Sequence, residues 1–252
     1  YLRWLSGETP TIYWHDSAFI AELDEAIANG AVGVTTNPFL INATLRAQPD
    51  FWRTQGIDTA AIPEGDRRAE HLVGQVAGFI ARKVAPFRSS GYGHGCCCAQ
   101  LNPNRPGHAA VMSEMADRYA RFADNIVIKI PATKAGLAVL EDCVAKGYNV
   151  AATVSFTVPQ VLAVGAAFQR GAERCRSAGR EPGLGIAVVM VGRLDDYLRD
   201  VMHESGGPAT EEDILWAGTA AIKRAYGLFQ ERGYESILMP AGCRGAYHIT
   251  EI

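Results

Sequence analysis

Seven short apolar runs recur along this chain, each separated from the next by a longer amphipathic stretch. No other feature of the sequence constrains the fold as tightly. Short runs rich in β-branched residues read as strands, and long stretches with apolar residues three and four apart read as helices. The strands are expected at Thr11–Asp16, Val32–Thr36, Tyr92–Ala99, Ile126–Ile130, Val150–Phe156, Gly185–Val191 and Ser236–Met239. Helices are expected at Ala18–Asn29, Ala69–Val84, His108–Phe122, Ala135–Lys146, Val158–Ala178, Arg193–His203 and Glu211–Arg232. Gly30 closes the first of these. Thr210 opens the last, with Glu211, Glu212 and Asp213 forming an acidic first turn.

Strand alternating with helix throughout implies a parallel sheet, either open and doubly wound or closed as a barrel. Gly91, Gly93 and Gly95 precede or lie within an expected strand, so they do not meet the dinucleotide-binding fingerprint. Polar residues stand at or near the strand C-termini: Asp16, Asn37, Gln100, Lys129, Thr153, Arg193 and Arg244. In a TIM barrel those termini open on one face, where active sites are built. The expectation is therefore an α/β fold, a (β/α)8 TIM barrel, with residues 1–252 as one domain. Only seven strands are legible, so an eighth is expected beyond the end of this chain or from another source.

Lys129 lies inside the run Ile126-Val127-Ile128-Lys129-Ile130-Pro131-Ala132-Thr133. An apolar run of this kind reads as a strand buried on both faces. Burial disfavours an ammonium, and a neutral amine in an apolar pocket attacks carbonyls to form Schiff bases. The plainer alternative is a strand-end lysine that snorkels to water.

The net charge of -3 gives no basic footprint, so nucleic acid is not an expected partner. No apolar run reaches the ~20 residues needed to span a bilayer. Tyr1-Leu2-Arg3-Trp4-Leu5 does not read as a signal peptide, and without an initiator Met the chain is expected to begin inside a longer gene product. Cys96, Cys97 and Cys98 are consecutive, Cys143, Cys175 and Cys243 are scattered, and there is no C-x-x-C pair. His94, Cys96 and Cys98 would share a strand face and could bind a metal, but small packed residues on a buried strand are the expected reading. Reduced thiols point to a cytoplasmic protein.

Thr35-Thr36-Asn37-Pro38 after a first strand ending in Asp16, Ile128-Lys129-Ile130-Pro131-Ala132-Thr133, and Thr153 seven residues before Gln160 together resemble the transaldolase family. Val191-Gly192-Arg193 and Ala241-Gly242-Cys243-Arg244 extend the resemblance over nearly the whole chain. It implies a (β/α)8 barrel with class I aldol chemistry that uses neither a metal nor an organic cofactor. It also implies sugar-phosphate substrates and, since barrels of this family often associate, a homo-oligomer. Lys129 would form the Schiff base with a ketose phosphate, and Asp16 would act as general acid/base. Thr36 and Asn37 would contact the dihydroxyacetone moiety, Thr153 would help hold a catalytic water, and Arg193 and Arg244 would bind phosphate. Each has a plainer reading: Asp16 as a helix cap, Asn37-Pro38 as a turn, Thr153 as a strand residue, the arginines as surface charges.

Departures from the family pattern fall on the substrate-contacting rim. A third-strand glutamate that activates the water in typical transaldolases is replaced by Gln100, which can orient a water but cannot take its proton. The fructose 6-phosphate aldolase subgroup also has a glutamine in this region. An asparagine two residues before the fifth-strand threonine is Ala151 here. Val188-Val189-Met190 replaces the usual Ser-Pro-Phe (or Tyr in the aldolases), and Gly242-Cys243 replaces Ser-Phe. Three functions are weighed: a transaldolase moving a dihydroxyacetone unit to an aldose phosphate, an aldolase releasing free dihydroxyacetone, and a non-catalytic sugar-phosphate-binding homologue.

Overall fold

A computed structural model of the chain describes residues 1–57 and 64–252. All seven expected strands form, and the described residues divide into two compact units, Tyr1–Lys129 and Ile130–Ile252. The element order alternates strand and helix, and the paired strands run parallel and in chain order within each unit. This is the α/β arrangement of a (β/α)8 barrel, with seven strands among the described residues.

The first unit holds β1 (Trp14–Asp16), β2 (Gly33–Thr35), β3 (Cys97–Gln100) and β4 (Ile126–Pro131), whose last two residues begin the second unit. Asp16 is level with Thr35, and Gln100 with Lys129, so these polar residues share the C-terminal edge of the strands. Its helices are α1 (Leu2–Glu8), α2 (Ile20–Ala28), α3 (Pro38–Ala47), α4 (Pro49–Thr54), α5 (Asp66–Val84) and α6 (Ala109–Tyr119). Helix α5 buries Val73, Val76, Ala77, Ile80, Ala81 and Val84, an apolar stripe of helical period that packs on β3. Phe51, Trp52 and Phe79 meet edge to face nearby. Gly33 is needed because any Cβ there would stand 2.3 Å from the Trp14 ring. That ring's indole N–H donates to the Gly93 carbonyl at 2.8 Å.

The second unit holds β5 (Asn149–Thr153), β6 (Gly185–Val189) and β7 (Ile237–Pro240). Its helices are α7 (Lys134–Ala145), α8 (Val158–Ser177), α9 (Val191–Ser205), α10 (Glu211–Leu215), α11 (Ala217–Arg232) and α12 (Tyr247–Thr250). Every residue of β6 is buried, whereas β7 is half-buried along its length. Helices α7 and α8 pack closely at Gly171, where a Cβ would come 2.6 Å from the Glu141 carbonyl oxygen.

The differences from the sequence reading have local causes. The third strand begins at Cys97, not Tyr92, because Gly93 and Gly95 take φ of 81° and 69°, outside the extended conformation of a regular strand. The fifth stops at Thr153 because Val154 turns into the left-handed region at φ 63°. The long helix expected over Glu211–Arg232 is two, broken at Trp216, although Thr210 caps the first through a reciprocal box with Asp213. Helices α1, α3, α4 and α12 were not read from the sequence. Proline at the first position of α3 and α4 was the missed signal.

Candidate active site

Lys129 is half-buried, while Ile126, Val127, Ile128 and Ile130 around it are buried. The side chain is more open than a strand buried on both faces suggests. Nζ donates a long hydrogen bond, 3.4 Å, to the Thr36 carbonyl. Lys129 has no ion pair among the described residues.

Thr36 is fully buried and its hydroxyl donates to the Cys98 carbonyl at 2.7 Å, tying the end of β2 to β3. This makes Thr36 a scaffold residue whose carbonyl, not its side chain, meets Lys129. Asp16, at the exposed end of β1, accepts a 2.6 Å hydrogen bond from the Thr35 hydroxyl. It is not a helix cap: Phe19 stands at that position of α2. Thr35 therefore orients Asp16, a role the sequence did not reveal. Asn37 does cap, its Oδ1 accepting from Leu40 N at 2.9 Å. Its amide nitrogen has no partner among the described residues, so one end of the side chain is structural and the other is open. Gln100, half-buried, is level with Lys129 on the adjoining strand.

The three consecutive cysteines are packing residues. All are buried, and burial pushes the Cys96 thiol up to about 11 and Cys98 to about 12, the latter against the opposing pull of the Lys129 ammonium. Cys97 moves in the same direction for the same reason. Thiols held protonated this firmly are poor nucleophiles and poor metal ligands.

In the second unit Thr153 is buried at the end of β5, its hydroxyl 4.0 Å from the Met190 sulfur. Val154, next in the chain, is a β-branched residue held at φ 63°, a conformation that costs about 1–3 kcal/mol and persists only where its surroundings impose it. Arg193, in the first turn of α9, is largely exposed, with Asp196 4.0 Å away. Arg244 follows β7 and is far more constrained. Its Nε and Nη2 donate to the two oxygens of Asp196 at 2.6–3.3 Å, and its Nη1 donates to the Gly242 carbonyl at 2.8 Å. Arg199 also approaches Asp196, at 3.5 Å. The Arg244 guanidinium holds the Asp196 carboxyl below the usual carboxylate range, and Arg244 is itself held above the ordinary arginine value. Asp196 was missed in the sequence, although its spacing from Arg193 on one helix was the available clue.

A family model for transaldolase/fructose-6-phosphate aldolase matches residues 13–252. The chain belongs to this family. A transaldolase from Kocuria rhizophila is 29% identical over 209 residues, covering 79% of this chain and 56% of the relative. "Transaldolase 1" of Streptomyces coelicolor is 28% identical over 218 residues, covering 83% of this chain and 55% of its own length. A transaldolase from Arthrobacter sp. strain FB24 is 26% identical over 205 residues, with 79% and 55% covered. The chain thus spans just over half the length of these relatives. Family membership agrees with the resemblance carried by the lysine strand and the Thr35–Pro38 segment, and with polar residues at successive strand ends. Among the described residues no helix is long and apolar enough to cross a membrane.

Proposed function

We propose that this member of the transaldolase family carries out class I aldol transfer, moving a dihydroxyacetone unit from a ketose phosphate to an aldose phosphate through a Schiff base on Lys129. The observation that carries the reading is Lys129 itself: an amine outside any ion pair among the described residues, half-buried within an otherwise apolar strand. Condensation with the ketose carbonyl expels water and leaves an iminium. Cleavage of the bond between the α and β carbons then delivers its electron pair into that iminium, giving an enamine instead of a free carbanion, while the β-hydroxyl becomes the carbonyl of the departing aldehyde. Asp16, aligned by Thr35, takes the proton from the hydroxyl at the breaking bond and returns one when the acceptor aldehyde is attacked. Asn37 offers its uncommitted amide N–H to a substrate oxygen, and Thr153 orients a water that relays protons as the imine forms and attacks it in the final hydrolysis. Arg193 and Arg244 take the phosphate, whose charge lies far from the reacting carbon and serves orientation.

The test is borohydride reduction with fructose 6-phosphate, followed by intact mass and peptide mapping. A three-carbon adduct on Lys129 is expected. A whole-sugar adduct would mean imine formation with stalled cleavage. Absence of any adduct, with this sugar and with free dihydroxyacetone, would sink the enzymatic reading in favour of a binding protein.

One observation favours a second reading. Gln100, not a carboxylate, is level with Lys129, and an amide orients water without deprotonating it. That suits an aldolase that releases free dihydroxyacetone. Acceptor dependence separates the two: release of product from fructose 6-phosphate without an acceptor would establish the aldolase.

A further inference from the structure

Asp195 and His248 are both buried in the second unit, and none of the steps above uses them. His248 Nε2 stands 2.9 Å from Asp195 Oδ2, a charge-distance contact whose angle falls short of an aligned hydrogen bond. The other Asp195 oxygen accepts from the Gly218 backbone N–H at 2.8 Å, at the start of α11. The other ring nitrogen of His248, Nδ1, accepts from the backbone N–H of Arg244 at 3.1 Å. A nitrogen that accepts carries no proton, so the network assigns the imidazole proton to Nε2, facing the carboxylate. Burying an aspartate and a histidine is costly unless something is gained from the placement.

What they touch identifies the gain. Asp195 and Asp196 are adjacent on α9, and both reach the segment after β7. Asp196 grips the Arg244 guanidinium, while Asp195, through His248, grips the Arg244 main chain. The same segment rests on Gly192, where a Cβ would come 2.1 Å from the Gly242 carbonyl oxygen and 2.7 Å from Arg244 Cγ. Tyr247 adds an edge contact to Trp216. Three guanidinium donors are committed to Asp196 and Gly242, leaving an N–H on each terminal nitrogen for an incoming anion.

We propose that the Asp195–His248 pair is a positioning device for Arg244, fixing its backbone so that the remaining guanidinium donors meet the substrate phosphate in one orientation. This rests on the reading of Arg244 as a phosphate ligand. His248 touches no reacting atom. It acts through Arg244, as outer-shell groups act on the ligands they orient.

The test compares His248→Asn, whose Oδ1 stands where Nδ1 does, with His248→Gln and His248→Phe, which lack an acceptor there. KM and kcat are measured with fructose 6-phosphate and an aldose phosphate, inorganic phosphate affinity by calorimetry, and folding by thermal melting. Expected is a rise of about tenfold in KM and in the phosphate Kd for Gln and Phe, with kcat within about twofold, and recovery in Asn. Folded Gln or Phe variants with unchanged constants, or an Asn variant as impaired as Gln, would overturn the proposal. Nitrogen-15 shifts of the wild-type histidines provide a check that needs no variant: His248 should be the Nε2–H tautomer at neutral pH, and a proton on Nδ1 would refute the arrangement. Phosphate binding that responds to these variants in a protein forming no Schiff base would sink the enzymatic reading and leave the positioning role standing. A Schiff-base enzyme whose phosphate affinity ignores Arg244→Ala would do the reverse.

Discussion

The Lys129 region and the Arg244 region of this chain are built by opposite means. Lys129 interrupts a strand whose other central residues are apolar and buried, and its amine makes one long contact to a carbonyl. Arg244 is held by charge, with a carboxylate on its head, a carbonyl beside it and an imidazole on its backbone. The difference suits the roles proposed for the two groups. A nucleophilic amine must lose its proton, and an ion pair would stabilise the form that cannot attack. A phosphate ligand never needs to lose its proton, so pairing it costs no reactivity and restricts its orientation.

The sharpest way to break this comparison is Lys129→Met, which keeps stem volume and removes the amine. Turnover and the borohydride-trapped adduct should both vanish while the melting profile stays cooperative. Residual turnover in pure protein would end the Schiff-base account. Asp16→Asn should come next, lowering kcat by roughly 10²–10⁴ while trapping of a whole-sugar adduct persists. If kcat held, Asp16 would be no acid/base group, and its bond from Thr35 would be structural only.

Smaller effects are expected at the charged end. Arg244→Ala should raise KM for fructose 6-phosphate on the order of ten- to a hundredfold, the worth of charge-assisted hydrogen bonds, with little change in adduct formation from free dihydroxyacetone. Arg193→Ala should act in the same sense but less, since its side chain is 64% exposed and only 4.0 Å from its carboxylate partner. Equal effects on phosphorylated and free substrates would remove the phosphate role from either residue. The smallest effect is on stability. Arg244 holds the Asp196 carboxyl below its unfolded value, so at acid pH the unfolded chain binds more protons. The stabilisation is complete above the ordinary carboxylate range, about 4, and is lost as pH falls through the lowered folded value. Urea midpoints at pH 7 and pH 3 should differ less in Asp196→Asn than in the wild type, and equal differences would mean the pair adds nothing.

Much of this molecule was legible from local pattern. The expected strands were legible because short apolar runs, most of them rich in β-branched residues, need no partner to be recognised. Lys129 was conspicuous because one charge interrupts such a run. Thr210 capped its helix as read, because a cap involves residues three apart. Where the reading failed locally, a single backbone angle usually decided: glycines at positive φ shortened the third strand, and Val154 ended the fifth.

The site's supporting contacts were of another kind. Thr35 orienting Asp16 joins residues 19 apart, and Asp196 gripping Arg244 joins residues 48 apart. His248 on Asp195 is a similarly distant pair. No periodicity or spacing rule reaches that far, because such contacts depend on which strand ends and helix starts the packed chain makes neighbours. By itself the sequence determined the alternation of elements, the apolar strand that carries Lys129 and the polar strand ends, all set by propensity and burial over a few residues. Only the tertiary structure decided which of those polar groups are already occupied, because hydrogen bonds and ion pairs form between side chains that the fold, not the chain order, brings within 3 Å or so of one another.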